Sequence, residues 1–416
     1  METGQPGMMD AKIFRRRVYH IGGYDHARPE IVHGRFVREL RRFERVWAAA
    51  ATHSEPAIGE DMATWQVQTS GADWRVETEF CLVRWDDVIA TTGAAPMWRR
   101  LPGGLLSFFD FILAGAFWGY LRASWRYAMF FLYPFLILAV LTLLALAGGL
   151  ALARSTGSST IGIGVGIGVF LLLFQAAQRW LYLGLLLDDW IFSRRYIRRG
   201  DAVLDQRLQR VAADIVKAAR GDAVDEILVV GHSLGAVLAI DLIDRAVTAG
   251  LTRQGSGPRI VFLSAGSSTL KIGLHRGASR LRAAIARVSA VPALFWVDYQ
   301  ARSDVMNFYR SDPLPLMGLA KTDSPLIRSV SIRRMLDPAR YPRIRRNWYR
   351  MHCQFVRGND RRAPYDYFMF TCGPLDAERQ ARSKEGAMHA FDAEGRVLDP
   401  TLSNETGTHP TEAAKP

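Results

Sequence analysis

A serine between two glycines stands where its hydroxyl could act as a nucleophile. The segment ILVVGHSLGAVLA places Ser233 between Gly231 and Gly235. The aliphatic run before the serine predicts a short buried strand, and the small residues after it predict a helix. A tight turn between the two would lift the serine hydroxyl above the sheet edge, and the glycines permit that turn. The pattern indicates a nucleophile, and the alternative is a structural turn with an idle serine.

The elements that must position this serine alternate along the chain. Periodicity predicts a strand at residues 14–20, a helix at 35–50 and two further strands at 65–69 and 74–83. It then predicts helices at 201–220, 234–249 and 278–288, and strands at 227–230, 259–263, 294–297 and 327–332. Such alternation predicts an α/β fold with a mostly parallel sheet flanked by helices.

With GHSLG in this strand–turn–helix context, the chain resembles the α/β-hydrolase fold and, within it, lipase- and esterase-like serine hydrolases. The resemblance covers residues 12–90 and 200–375, on either side of an apolar insertion. It implies that a histidine activates Ser233 and that an acid orients the histidine, in the chain order Ser, Asp/Glu, His.

That order limits the candidates for the other two residues. The acid is expected just beyond the second strand after the nucleophile, in LFWVDYQARSDVMNF, which contains Asp298 and Asp304. Asp304 is favoured because it lies in the loop, whereas Asp298 lies in the predicted strand or at its edge. His352 is favoured among the later histidines because His389 and His409 fall in a predicted tail.

Backbone N–H groups must also stabilise the oxyanion of an acyl-transfer intermediate. The N–H of Leu234 is one candidate. Gly22 and Gly23 follow the early strand and resemble the His-Gly-Gly loops of such enzymes, although Ile21 interrupts the usual pattern. The alternative is a plain glycine turn.

Two uncharged runs in the middle of the chain predict a membrane hairpin. Residues 128–153 are long enough to span a bilayer, and residues 161–187 form a second predicted span. GxxxG spacings at 162/166 and 164/168 favour close packing of the two helices. Arginines crowd the outer flanks, whereas the loop carries only Arg154, so the positive-inside rule places both flanks in the cytoplasm.

A third apolar stretch, residues 101–120, contains Asp110 and is interpreted as an interfacial helix. Gly22 and Ser233 precede and follow the insertion, so a shared site requires an even number of crossings. Two spans satisfy that requirement and three do not.

These segments divide the chain into four parts. Residues 12–100 and 191–376 form the two halves of the hydrolase domain, residues 101–190 form the membrane insertion, and residues 377–416 form a tail predicted to be disordered. The chain carries a net charge of +13, but no nucleic-acid-binding motif is present, and no signal-peptide pattern precedes the first strand. Three cysteines without a CxxC pair predict neither a disulfide framework nor a zinc site.

The sequence therefore predicts a membrane-anchored serine hydrolase that cleaves a carboxylic ester, with a lipid or acyl-ester substrate and no cofactor. Its predicted location is the bacterial inner membrane, with the hydrolase domain in the cytoplasm. Two alternatives remain: a thioesterase or acyltransferase with the same triad, and a catalytically silent hydrolase fold that serves as a membrane scaffold. The oligomeric state is left open.

Overall fold

The computed structural model describes residues 13–221, 223–252 and 257–398. Over these residues the chain folds into a nine-stranded sheet flanked by helices, from which two long apolar helices extend. The predicted α/β class is confirmed. The part of the N-terminus before residue 13, where the sequence shows no signal-peptide pattern, lies outside the described residues.

The strands, in chain order, are β1 Ile13–Ile21, β2 Ala50–His53, β3 Ala57–Ile58, β4 Met62–Ser70, β5 Arg75–Val83, β6 Glu226–His232, β7 Arg259–Ala265, β8 Leu294–Ala301 and β9 Leu326–Val330. They lie in the order β2-β4-β5-β1-β6-β7-β8-β9, with β3 paired to β4.

The helices are α1 Pro29–Trp47, α2 Asp86–Gly93, α3 Met97–Leu113, α4 Ala116–Ala123, α5 Trp125–Thr156, α6 Ser159–Leu181, α7 Leu183–Arg198, α8 Ala202–Arg220, α9 Gly235–Thr248, α10 Thr269–Gly273, α11 Ser279–Ser289, α12 Pro313–Leu316, α13 Ile332–Met335, α14 Tyr341–Arg345, α15 Trp348–His352, α16 Tyr367–Cys372 and α17 Ala377–Arg382. Short 3₁₀ turns follow at Cys353–Val356 and Met388–Ala390.

The sheet is mixed, whereas the sequence predicted a mostly parallel one. β1 pairs in parallel with β5 and β6, and β6 to β9 continue in parallel, but β2, β3 and β5 all pair with β4 in antiparallel fashion. Short turns join β3 to β4 and β4 to β5, and short turns permit only antiparallel neighbours. The expectation of a mostly parallel sheet rested on apolar periodicity, which carries no information on strand direction, and it did not take the short turns of this half into account.

The chain changes direction across the sheet between β1 and β6. From β1 the chain proceeds to the half that holds β2 to β5, and from β6 it proceeds to the half that holds β7 to β9. Loops leaving the carboxyl ends of these two strands therefore diverge and leave a crevice, which is where open α/β sheets bind ligands. Gly22 and Ser233 follow β1 and β6 directly, so both lie at this crevice.

A buried ion pair ties the two central strands to the C-terminal segment. Arg16 Nε lies 2.5 Å from Glu226 Oε2, and both side chains are fully buried. Arg16 also donates to the carbonyls of Gly373 and Leu375, and Glu226 accepts from the N–H of Ala377. A buried pair of charges is stable only when its remaining polar atoms are satisfied, as they are here.

The segment after residue 377, predicted to be disordered, is ordered as far as residue 398. α17 is followed by a bridge between Phe391 and Val397. The Phe391 ring packs 5.4 Å from that of Trp47, and Trp74 Nε1 donates to the carbonyl of Gly395 at 2.9 Å. These contacts reach residues more than 300 positions away, which local composition does not reveal. The rest of the predicted tail, residues 399–416, lies outside the described residues.

Helices α5 and α6 are long and apolar enough to cross a membrane. They have 32 and 23 residues, hence about 48 Å and 35 Å, against about 30 Å of hydrocarbon. They pack through small residues: a Cβ added at Gly162 would lie 2.6 Å from both Ala153 Cβ and the Gly149 carbonyl oxygen. A Cβ at Gly166 would lie 3.2 Å from the Ala145 carbonyl oxygen, whereas one at Gly164 would have no neighbour within 4 Å. Of the two predicted GxxxG spacings, 162/166 forms the contact.

The second apolar helix ends earlier than predicted. Residues 161–187 were expected to form one span, but the chain breaks at Tyr182, whose φ is +56°, and α7 begins at Leu183. Leu183 and Leu187 are fully buried against protein, and Leu187 packs on Gly104 of α3. Hydropathy does not distinguish burial in protein from exposure to lipid, which explains the error.

The stretch predicted to be interfacial forms α3 and α4, which meet at a bend of 70°. Asp110 of α3 forms ion pairs with Arg194 and Arg198 of α7. In α4, Tyr120 is fully buried, and its hydroxyl donates to the carbonyl of Lys271 at 2.6 Å. The bent pair is therefore fastened to the α/β layer at its charged and buried positions.

Candidate active site

Ser233 occupies a strained turn between β6 and α9. Its φ is +56°, a left-handed conformation that costs a non-glycine residue roughly 1–2 kcal/mol. Surrounding hydrogen bonds hold the turn: Ser233 N–H donates to the carbonyl of Ala265 at 3.1 Å, and its carbonyl accepts from Ala236 and Ser268. Strain of this kind persists only where neighbouring structure imposes it, and it concentrates at functional sites.

The two glycines beside the serine are required by close packing. A Cβ at Gly231 would lie 2.5 Å from the Cα of Ala236, and one at Gly235 would lie 2.2 Å from the carbonyl oxygen of Ile21. Both distances are too short for any side chain. The G-x-S-x-G spacing is thus a steric consequence of bringing the start of α9 against the ends of both β6 and β1.

Asp304 and His352 are hydrogen-bonded to each other. His352 Nδ1 lies 2.7 Å from Asp304 Oδ2, and both residues are about 2% exposed. Asp304 lies in the turn after β8, where its Oδ1 accepts from the N–H of Met306 and its carbonyl accepts from Asn307 Nδ2. His352 is the last residue of α15. Its Nε2 is buried and has no hydrogen-bond partner within the described residues.

The competing acid, Asp298, lies elsewhere. It is buried within β8, where Oδ1 accepts from Ser264 Oγ at 2.5 Å and Oδ2 accepts from Gln300 Nε2 at 2.7 Å. Burial raises the pKa of Asp298 to about 6, despite these hydrogen bonds. Asp298 thus belongs to a separate polar network, and Asp304 is the acid that contacts the histidine.

The early glycine loop lies against Ser233. A Cβ at Gly23 would lie 2.9 Å from Ser233 Cβ, so the glycine backbone approaches Ser233 too closely for a larger residue to fit without movement. Gly22 is less crowded, since its nearest such neighbour is His20 Nε2 at 3.9 Å. Among the described residues, neither Gly23 N–H nor Leu234 N–H makes a backbone hydrogen bond. Two free donors therefore lie beside the serine, as an oxyanion site needs.

Two further histidines surround the site. The ring centroid of His232 is 4.7 Å from that of His352, and His232 Nε2 lies 3.2 Å from the His352 carbonyl oxygen. Burial lowers the pKa of His232 well below its usual value, and the neighbouring His352 lowers it further. Burial also lowers the pKa of His20 to about 4. Both are neutral at pH 7, and the His232 ring packs against that of His352, whereas His20 packs against Phe80 and Tyr367.

Ser233 and His352 line one cavity of about 310 Å³, which we call the central cavity. Gly22, Gly23 and the aromatic residues Trp85 and Trp348 also line it. In the described residues no hydrogen bond joins Ser233 to His352. Such contacts are often long without substrate and tighten when it binds, so this geometry is compatible with a working pair.

Sequence reasoning missed several residues that hold the site in place. Asn307 fixes the acid-bearing turn, since its side chain bonds both the N–H and the carbonyl of Ala301 and the carbonyl of Asp304. Gly266, with a φ of +56°, leaves room for the histidine, because a Cβ there would lie 3.1 Å from His352 Cε1. The Asn three residues after Asp304 was visible in the sequence, but nothing local marked its role.

The arrangement provides a hydroxyl, an imidazole oriented by a carboxylate, and free N–H donors around one cavity. These are the groups that acyl transfer through a serine requires. Comparison of the chain with protein-family models, with curated proteins and with solved structures finds no match. Any assignment of function must therefore rest on the site itself.

Proposed function

We propose that the protein is a membrane-anchored serine hydrolase that cleaves carboxylic esters of lipid-like molecules. The observation that carries the proposal is the buried Asp304–His352 hydrogen bond beside the strained turn that presents Ser233. Burial of the Asp304–His352 pair and the strained backbone at Ser233 each cost free energy of folding. Together they support acyl transfer through a serine. The proposed oxyanion donors, Gly23 and Leu234 with Gly22 shaping the loop, add the remaining requirement.

The reaction follows from the roles of these groups. His352 Nε2 accepts the proton of Ser233 as Oγ attacks the ester carbonyl, while Asp304 holds the imidazole in the required tautomer and stabilises its positive charge. The free N–H groups stabilise the oxyanion of the tetrahedral intermediate. His352 then returns the proton to the leaving alcohol, which leaves an acyl-serine. The same imidazole next activates water, which hydrolyses the acyl-enzyme and frees the serine.

Membrane attachment follows from the hairpin of α5 and α6. β1 precedes the insertion and β6 follows it, yet the two strands are neighbours in one sheet, so the chain must cross the bilayer an even number of times. The exposed apolar side chains of Leu106, Phe109 and Leu113 support an interfacial position for the bent pair α3–α4. Arg154 is the one charged residue near the α5–α6 turn, whereas arginines are frequent on the outer flanks of the hairpin. By the positive-inside rule this pattern supports a catalytic domain in the cytoplasm, at a bacterial inner membrane.

The central cavity is linked to the base of the hairpin, which supports a lipid-like substrate. Trp348 lines the cavity, and its ring lies 5.1 Å from that of Phe130 in α5 and 5.3 Å from that of Tyr182. Leu185 and Leu186 of α7 line the same side. An acyl chain leaving the bilayer along this aromatic wall would meet Ser233.

Hydrolysis of esters by the purified full chain in nonionic detergent tests the proposal. We expect turnover of medium-chain monoacylglycerol by the wild type and loss of turnover in Ser233→Ala. Comparable turnover by the variant would contradict a serine mechanism. If the folded wild type cleaves no ester, the protein would instead be a silent scaffold.

Orientation has a separate test. Single cysteines at Gly157 in the hairpin turn and at Arg199, an exposed residue after α7, would be probed in intact cells with a membrane-impermeant maleimide. Labelling is expected at position 157 alone. Labelling at position 199 alone would invert the proposed orientation.

A further inference from the structure

The charged side chains around the central cavity are not evenly paired. Four carboxylates line the cavity, and each forms an ion pair with a cation of the protein: Asp25 with Arg35, Glu39 with Arg42, Asp86 with Arg84, and Asp189 with Lys271. Two lining cations, Arg38 and Arg357, form no ion pair or side-chain hydrogen bond within the described part of the chain. The cavity therefore has two unneutralised positive charges and no unneutralised negative one.

Arg38 and Arg357 come from different elements that meet at the cavity. Arg38 lies in α1, and Arg357 follows the 3₁₀ turn five residues after His352. The next residue of each segment forms the contact between them: Gly358 N–H donates to Glu39 Oε2 at 3.1 Å. A Cβ at Gly358 would lie 2.6 Å from the Glu39 carbonyl oxygen, so the two backbones touch. Arg38 and Arg357 thus belong to two adjoining segments, and both residues line the cavity.

From this arrangement we infer that the substrate carries an anionic group, a phosphate or carboxylate, which Arg38 and Arg357 bind. The inference rests on the proposed function and names the substrate class of the same site. Guanidinium groups suit this task because they stay charged and bind oxyanions through paired hydrogen bonds.

The position of the two arginines fits an amphiphile. The apolar side of the cavity is formed by Leu185, Leu186 and Trp348, toward the base of the membrane helices. Arg38 and Arg357 belong to α1 and to the segment beyond His352, which are not the elements that supply that wall, and Arg38 is exposed to solvent. An ester with an acyl chain on the apolar side and an anionic head at the arginines would place its carbonyl between them, near Ser233.

Binding of two uncleavable ethers tests the inference without relying on turnover. The probes are 1-O-oleylglycerol 3-phosphate and neutral 1-O-oleylglycerol, titrated into the full chain in dodecyl maltoside. We expect the wild type to bind the phosphate form more tightly by about tenfold to a hundredfold, as charge-assisted hydrogen bonds allow. That ratio should fall toward one in the double variant Arg38→Gln/Arg357→Gln.

Arg334→Gln is the matched control, since Arg334 is exposed and forms no ion pair with the residues that the structure describes, but does not line the central cavity. It should keep the wild-type ratio. A wild-type ratio near one would overturn the inference, as would an equal fall in the double variant and in the control. Competition by inorganic phosphate distinguishes a site for the free anion from one that needs the lipid, and either result supports anion recognition.

Failure of the proposed hydrolase function gives a different result from failure of the anion site. A protein that prefers the phosphate ether but whose Ser233 fails to react with an ester or a serine-directed probe would keep the anion site and lose the hydrolase assignment.

Discussion

His352 Nδ1 and Asp304 Oδ2 lie 2.7 Å apart although 48 positions separate the two residues in the chain. Both are buried, and the other ring nitrogen of His352 has no partner among the described residues. A histidine anchored through one nitrogen and unpartnered at the other has one direction in which to exchange a proton. That direction is the central cavity, which Ser233 also lines.

Replacing each of the two aspartates by asparagine distinguishes a catalytic role from a structural one. Asp304→Asn keeps the acceptor for Met306 N–H but presents an amide N–H to His352 Nδ1, which favours the wrong tautomer. We expect kcat for ester hydrolysis to fall by about 10³–10⁴. Asp298→Asn, within the Ser264–Gln300 network, should retain most of kcat. Equal losses in the two folded variants would argue against Asp304 as the triad acid.

The two glycines after β1 offer a matched pair for the oxyanion loop. Gly23→Ala places a methyl group 2.9 Å from Ser233 Cβ, so the loop must move away from the serine. Loss of one oxyanion donor costs about 10²–10³ in kcat. Gly22→Ala meets nothing closer than 3.9 Å and should cost far less. Steady-state kinetics on folded protein measures both, and a larger loss in Gly22→Ala would refute the assigned loop geometry.

The membrane hairpin has its own matched pair. Gly162→Ala forces a methyl group to within 2.6 Å of Ala153 Cβ and of the Gly149 carbonyl oxygen, whereas Gly164→Ala meets open space. Overpacking costs typically 1–3 kcal/mol, so the first change should lower the thermal unfolding temperature in detergent. The second should leave it near the wild-type value. Equal effects would mean that α5 and α6 pack through another face.

Asp298 predicts a pH dependence of stability. Burial raises its pKa to about 6 in the folded state, against an unfolded value of 3.8. Folding therefore favours the protonated carboxyl, so its contribution is fully present below pH 3.8 and is lost as pH rises through 6. The loss is on the order of 3 kcal/mol.

The asparagine of Asp298→Asn is neutral at every pH, so this variant does not lose folding stability through ionisation at position 298. Unfolding temperatures of the wild type and the variant, compared at pH 4 and pH 7, should show the wild type losing more stability over that interval. A constant offset between the two proteins cancels in this comparison. Parallel curves would show that Asp298 does not titrate in this range.

The residues of the candidate site could be selected from the sequence by their types and by their order in the chain. GHSLG marked Ser233, and the chain order expected of a serine hydrolase selected Asp304 and His352, which the fold brings together. What could not be predicted depends on contacts between distant segments. The antiparallel half of the sheet was missed for a different reason, because the prediction from periodicity did not use the short turns between its strands. The break at Tyr182 depends on Leu183 and Leu187 packing against protein rather than lipid, and hydropathy treats the two alike.

The choice between helix registers shows the same limit. The sequence offered two GxxxG spacings, and only the position of Ala145 and Gly149 on α5 selects the one at Gly162 and Gly166. Asn307 and Gly266, which hold the acid and the histidine in place, carry no local signature of that role.

The central claim is that Ser233 is a nucleophile activated by His352, and covalent labelling tests it most directly. The full chain in nonionic detergent would be treated with a fluorophosphonate probe, and the modified peptide would be identified by mass spectrometry. The account predicts one adduct, on Ser233, that is abolished in Ser233→Ala and formed at least about a hundredfold more slowly in His352→Ala. A folded wild type that remains unlabelled at Ser233, or labelling unaffected by loss of His352, would contradict it.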